Sequence, residues 1–381
     1  MSTINVDIIL PQSSNVVGVN GVNISSPLGD PANVAFGNGG LSMVSGSNTT
    51  LIGSSAGGSL TTGNQNTALG TYSLVSCTTG NDNVAIGINS LFANINGNRN
   101  IGIGNFALYS VTGGNNSVAI GHAALKLYNG FPANVAIGAY ALSDLVGDVQ
   151  NTAVGQQSLE HTTAGSNTAV GFQSLVTQTA GTCNTALGTM AGYLLNSGNN
   201  NTFVGTQAGY QVTSGTDNVL LGFANSGNAS LHTGNNNILI GAGACYPSTP
   251  NISNEITLGN ASNTVLRCAV TSITSLSDAR DKKEITELSA GLDFVNTLKP
   301  VEFVWDDRNE EGKHDVKDFG FIAQDLKQSQ EDSKLADTLK LVYEENPEKL
   351  EASYGKLIPI LVKAIQDLTA KVEALESKKK K

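Results

Sequence analysis

Through the first 260 residues, apolar positions follow a short pattern that restarts about every seventeen residues. The unit is Asn-x-x-apolar-Gly, as in Asn66-Thr67-Ala68-Leu69-Gly70 and Asn83-Val84-Ala85-Ile86-Gly87. Its closing glycines fall at 37, 53, 70, 87, 104, 121, 138, 155, 171, 188, 205, 222, 241 and 259. Alternation inside each unit has period two, which predicts a five-residue strand. Val84 and Ile86 lie on one face of that strand, and Asn83, Ala85 and Gly87 on the other. A leucine often follows the glycine by four, as at Leu74, Leu91, Leu108 and Leu125. Pairs such as Gly80-Asn81, Gly97-Asn98 and Gly114-Asn115 mark corners, being residues that tolerate positive φ. One such coil cannot enclose a core, so it must stack on its neighbours and on other chains. The expectation for residues 33–260 is a parallel β-solenoid about 65 Å long at the inter-strand spacing. The recurring asparagines are expected to form stacked amide ladders, with a sugar-binding surface as the alternative. Residues 1–32 carry apolar strand-like runs at 4–10 and 16–22 and are expected to cap or attach the rod.

After residue 276 the pattern changes. Residues 261–276 are polar, with Val265, Leu266, Val270 and Ile273 as isolated apolar positions, and suit a neck. Ile285, Leu288, Leu292, Val295 and Leu298 have helical spacing and predict an amphipathic helix ending before Pro300. Residues 301–305 alternate as a strand; 319–322 and 341–343 read as two more. Ile358, Leu361, Ile365, Leu368, Val372 and Leu375 repeat at 3-4-3-4-3, the seam of a coiled coil, with Pro359 in its first turn. Taken alone, that seam leans towards a parallel dimer.

Charge sharpens the boundary. Before Ser277 there are 3 Lys+Arg and 8 Asp+Glu; from Ser277 onward there are 18 and 23. The net charge of −10 therefore splits evenly, which argues against a general nucleic-acid or anionic-membrane binder. Cys77, Cys183, Cys245 and Cys268 form no CxxC pair and are expected to be free thiols. The first residues lack a basic segment followed by an apolar core, so no secretory signal is expected. No run approaches the roughly 20 apolar residues of a membrane span. His122, His161 and His232 have no ligand-like spacing, and Asp144 and Asp148 are a poor carboxylate pair. The rod is thus expected to be neither an enzyme nor a metal or cofactor protein.

Two resemblances follow from the motifs. The Asn-x-Val-Ala-Ile-Gly units of residues 33–260 resemble the head repeats of trimeric bacterial adhesins of the YadA type, which are parallel β-rolls packed as three chains. Leu276-Ser277-Asp278-x-Arg280-x-Lys282-x-x-Ile285, followed by Gly320-x-x-Ala323-Gln324 and the closing helix of residues 354–368, resembles the self-cleaving intramolecular chaperone of phage tail spikes and fibres and related giant-virus proteins. Relatives that carry a histidine two residues before that glycine differ from this chain, which has Asp318 there.

These resemblances imply a mainly β fold: a trimeric β-roll of 17-residue coils, then a small α+β chaperone domain over 277–381 ending in a coiled-coil helix. They imply a scissile bond between Leu276 and Ser277, with Ser277 as nucleophile and Lys282 as general base. Asp278, Arg280, Gly320 and Gln324 would support the site. Lys283 is the rival base, and the Ser-x4-Lys spacing favours Lys282. A lysine accepts a proton only when neutral, which burial favours. The plainer reading is that Ser277 caps a turn and both lysines are solvent charges. The implied protein is a homotrimeric virion surface fibre, made in the host cytoplasm. Its partners would be other virion proteins and a host-surface receptor, with glycans among the candidates. It would bind no nucleic acid and insert in no membrane. A bacterial surface adhesin and a purely structural virion protein are the alternatives.

Overall fold

The computed structural model describes residues 16–19, 22–25, 33–37, 46–130, 133–147, 149–224, 231–243, 247–260, 263, 265–267, 277–306, 314–348 and 350–379. The chain divides into two compact units, 1–260 and 261–381.

The first unit is organised by one sixteen-stranded sheet in which every strand lies beside the next in sequence. Strands β1 (Val16–Val19) and β2 (Val22–Ser25) form an antiparallel hairpin, and β2 pairs antiparallel with β3 (Val34–Gly37). From β3 to β16 (Ile256–Leu258) each coil adds one parallel strand. The hairpin covers the edge that the stack would otherwise leave bare. The run at 4–10 lies outside the described residues.

Most coil strands hold three residues rather than the expected five. In β6 (Val84–Ile86), the extension stops at Gly87, whose φ is 121°. A Cβ there would lie 2.7 Å from the carbonyl of Gly104 in the next coil, so glycine meets both the conformation and the close approach. At the other end, the Asn83 backbone N–H donates to Asn66 Oδ1 at 3.0 Å instead of to a backbone carbonyl. Asn83 Nδ2 donates to Gly97 O at 2.8 Å, and its Oδ1 accepts from the Asn100 N–H at 3.0 Å. This amide ladder runs inside the coils, where Asn66, Asn83 and Asn100 have no exposed surface. It cannot be a sugar-facing row. A second ladder, through Asn64, Asn81, Asn98 and Asn115, follows a corner of the rod.

The small strand face points inward: Ala68, Ala85, Ala119 and Ala136 are fully buried. The recurring leucines complete the core, and they do so with left-handed backbones, φ being 52° at Leu74 and 51° at Leu91 and Leu108. That conformation costs about 1–2 kcal/mol for a non-glycine residue, while fully burying a leucine returns about 1.5–3 kcal/mol. The expected positive φ at the Gly-Asn corners falls one residue later, on Asp82 (59°), Arg99 (55°) and Asn116 (62°). Gly80 serves packing instead, since a Cβ there would lie 2.4 Å from Gly97 O. Cys77 is buried in the core, which pushes its thiol up to about 11; Cys183 is exposed, and both are free.

The second unit holds an antiparallel pair, β17 (Pro300–Asp306) and β18 (His314–Phe321), with Val301 beside Gly320. His314 opens a strand rather than lying in the loop that its polar neighbours suggest. The predicted helix over 285–298 contracts to one turn, α1 (Leu292–Val295). Glu284 is left-handed (φ 53°) and Gly291 is non-helical (φ −130°, ψ −138°), so helical spacing there does not become a helix. Helix α2 (Ala323–Asp332) leads to α3 (Ala336–Leu339) and a short pair, β19 (Val342–Tyr343) with β20 (Glu351–Ala352). The chain closes on α4 (Leu357–Lys379). Ala290, Phe294, Leu339, Leu341, Leu357 and Ile360 form the core. Asp367 of α4 accepts the Leu292 N–H at 3.1 Å, and chiefly this bond holds its carboxyl below the usual carboxylate range. Among the described residues no helix is long and apolar enough to cross a membrane.

Candidate functional site

The local chain around Ser277 is built by its own polar residues. Asp278 is extended (φ −68°, ψ 133°) and caps a single 3-10 turn, Ala279–Asp281. Its carboxylate accepts the Arg280 backbone N–H at 2.9 Å and grips the Arg280 guanidinium, at 2.6 Å from Nη2 and 3.1 Å from Nε. The guanidinium first, and the N–H second, hold the Asp278 carboxyl below its ordinary range. The cap is therefore made by Asp278, not by Ser277.

The turn closes with the Lys282 N–H donating to Ala279 O at 3.2 Å, after which Lys282 is extended again (φ −124°, ψ 143°). Ser277 and Lys282 thus flank one tight turn, and their side chains return to each other. Lys282 Nζ lies 2.5 Å from Ser277 Oγ and 3.2 Å from Ser277 O. Lys283 makes no hydrogen bond among the described residues. Ser277, Lys282 and Lys283 are all exposed in the single chain. Leu276, on the other side of the proposed scissile bond, lies outside the described residues.

Gly320 and Gln324 are held elsewhere in the unit. Tyr354 Oη accepts the Phe321 N–H at 3.1 Å and donates to Phe321 O at 3.3 Å, with the two rings 5.8 Å apart. A Cβ on Gly320 would meet that hydroxyl at 2.6 Å, so glycine is what lets Tyr354 dock on the strand. Gln324 is exposed in the first turn of α2. Among the described residues neither hydrogen-bonds to Ser277 or Lys282. Asp318 accepts the Trp305 indole N–H at 3.1 Å. Tyr354 is the residue that the sequence reading passed over; a glycine inside a strand was the signal that a bulky group approaches there.

In the rod, His161 Nδ1 and Asp144 Oδ2 form an exposed pair at 2.8 Å across adjacent coils, and the neighbouring Ser143 hydroxyl donates to Asp144 Oδ1 at 3.0 Å rather than to the imidazole. Among the described residues no cluster of three or more His, Cys, Asp or Glu side chains could hold a metal ion.

Residues 277–334 match the family described as chaperone of endosialidase, and the match begins at Ser277 itself. No curated protein and no solved structure matches the chain. The family match together with the stacked coils supports a tail-fibre-like protein with a C-terminal domain that acts as a trimer-assembly chaperone.

Proposed function

We propose that the C-terminal domain assembles three rods and then severs itself at Leu276–Ser277, with Ser277 as nucleophile and Lys282 as base. The observation that carries the reading is the 2.5 Å approach of Lys282 Nζ to Ser277 Oγ, at the residue where the family match starts. The neutral amine takes the hydroxyl proton as Oγ attacks the Leu276 carbonyl carbon. The Leu276–Ser277 C–N bond breaks, the nitrogen is protonated, and an ester remains on Oγ. Water hydrolyses that ester, leaving a carboxylate on Leu276 and a free amine and hydroxyl on Ser277.

Exposure in the single chain gives this scheme its timing. Burial favours the neutral form of a lysine, and Ser277 and Lys282 lie open in one chain. The reading assigns their burial to the assembled trimer, so cutting reports completed assembly. The released rod then serves as a virion surface fibre in host attachment, its receptor a host-surface molecule such as a glycan. The solvent-facing corners of the rod, rather than its internal asparagines, are the available binding surface.

Intact mass after expression tests the chemistry. Wild type should yield two fragments divided between Leu276 and Ser277, and Ser277→Ala and Lys282→Met should each yield one full-length chain. A wild-type trimer that stays whole would rule the scheme out.

A further inference from the structure

Two columns of side chains run along the outer face of the coil strands. One begins Val34, Thr50, Thr67, Val84 and ends Ile238, Ile256; through all fourteen coils it holds only Val, Thr and Ile. The other begins Phe36, Ile52, Leu69, Ile86 and ends Ile240, Leu258; it holds only Phe, Ile, Leu and Val. Neither column contains a charge. The other outward rows do: Asp82, Arg99 and Asp217 follow one corner, and Lys126, Asp144 and Glu160 lie beyond the buried leucines. The strand face is therefore the one stripe that stays uncharged and largely apolar from the first coil to the last.

That stripe is half-exposed along most of its length in the single chain and most open at some of its coils. Leu69 is 43% exposed, Leu187 49% and Ile240 42%. At the inter-strand spacing it is about 60 Å long and about 7 Å between columns, a footprint of some 400 Å² before side-chain width is counted. A typical monomer's largest bare patch is about 300–600 Å², so it is the unbroken length and composition of this stripe, rather than its area, that mark it. A free β face normally alternates polar outside with apolar inside; here the polar asparagines are inside and the branched side chains outside.

We propose that this face is the seam by which three copies of the chain meet, with the Phe36-to-Leu258 column at the three-fold axis and the Val34-to-Ile256 column at its flank. The proposal rests on the trimer of the preceding reading. Three observations select a copy of this chain as the occupant. The stripe has the length of the whole rod, which a parallel copy in register matches coil for coil. It is two residues wide, which suits a ridge meeting two others better than a broad sheet-on-sheet contact. Threonine, which tolerates partial wetting, occurs repeatedly in the flank column and never in the axial one.

Photocrosslinking in the full chain tests it. Benzoylphenylalanine is placed at Leu187, on the axial column, and separately at Leu194, an exposed leucine (37%) off the strand face. Irradiation should join chains into dimers and trimers from position 187 and leave position 194 as single chains on a denaturing gel. Native mass of the same samples separates the two claims. A trimer that crosslinks from 194 but not from 187, or from neither, overturns this seam and leaves the trimer standing. A monomer overturns the trimer itself. Independently, Leu187→Asp should lower trimer yield at least several-fold while Leu194→Asp leaves it unchanged; equal yields from the two would overturn the seam.

Discussion

Gln178 occupies a core position that other coils fill with Leu145, Leu195 or Val212, all fully buried. Its Nε2 donates to Gly181 O, but its Oε1 has no partner, the only such buried side-chain atom among the described residues. Gly181 O also accepts from Asn167 Nδ2 at 3.0 Å, so it would keep a donor if the glutamine were removed. A buried acceptor without a donor costs about 1–3 kcal/mol, and leucine fits the same column in two nearby coils. Gln178→Leu should therefore raise rod stability by about 1 kcal/mol or more, seen as a higher midpoint in chemical denaturation; an unchanged or lower midpoint would show that the amide is satisfied in solution. The same sensitivity governs the left-handed positions. Residues as different as Leu, Asn, Gln, Arg, Phe, Ser and Ala occupy them, and no Val, Ile or Thr does among the described residues, as expected where a branched Cβ crowds the carbonyl.

Within a single coil, residues compensate for one another. Phe203 stands where most strands place an inward alanine, and it is fully buried. Room for it comes from Gly192 and Gly209, which replace the recurring leucine in two adjoining coils; a Cβ at Gly209 would lie 2.5 Å from the Phe203 ring. Leu51 and Gly57 repeat the exchange near the N-terminal end. Phe203→Ala alone should cost about 3–5 kcal/mol through the cavity it leaves, and Gly209→Leu alone should destabilise by overpacking. The double variant should be more stable than either single one, because it rebuilds the alanine-leucine pair of the other coils; denaturation of all three checks this, and additive losses would refute it. This exchange explains how much was legible beforehand. The spacing of Asn83, Ala85, Ile86 and Gly87 showed coil, period and parallel stacking, because a repeat averages away local accidents. It did not show which strand face turns inward, since Ala85 and Ile86 are both apolar and only packing volume separates them. It misplaced the left-handed residues because Leu91 adopts that backbone for the sake of its burial, against its own preference. The approach of Lys282 to Ser277 was legible as a motif, whereas the docking of Tyr354 over Gly320 joins residues 34 apart: the strand glycine marks that something bulky approaches, but no local pattern names Tyr354 as the group.

Across the whole molecule, the regularity that makes the rod easy to read makes it hard to assemble. From β3 onward each strand pairs with one 16–19 residues away, and equivalent side chains recur at every coil: Val84 lies beside Ile101, but Val118, one coil on, offers the same shape. A slip by a full coil between three chains therefore forfeits little contact inside the stack. Register is weakly specified wherever alternatives are nearly equivalent. The C-terminal unit is the opposite kind of sequence, without repeats, dense in charge, and ending in α4, whose seam residues Ile358, Ile365 and Leu375 are mostly exposed in one chain. Three such units have no coil repeat to slip along, so their docking can set a common start for the three rods. If the mark is removed after assembly, the rod persists by the height of its unfolding barrier. Cut wild-type protein, separated from its released domain, denatured and diluted, should then fail to regain trimers, while Ser277→Ala, which retains the unit, should regain them under the same conditions. Native mass and circular dichroism of the two samples decide the matter: full recovery of the cut rod would mean that its coils carry their own register, and the chaperone would be needed for speed alone.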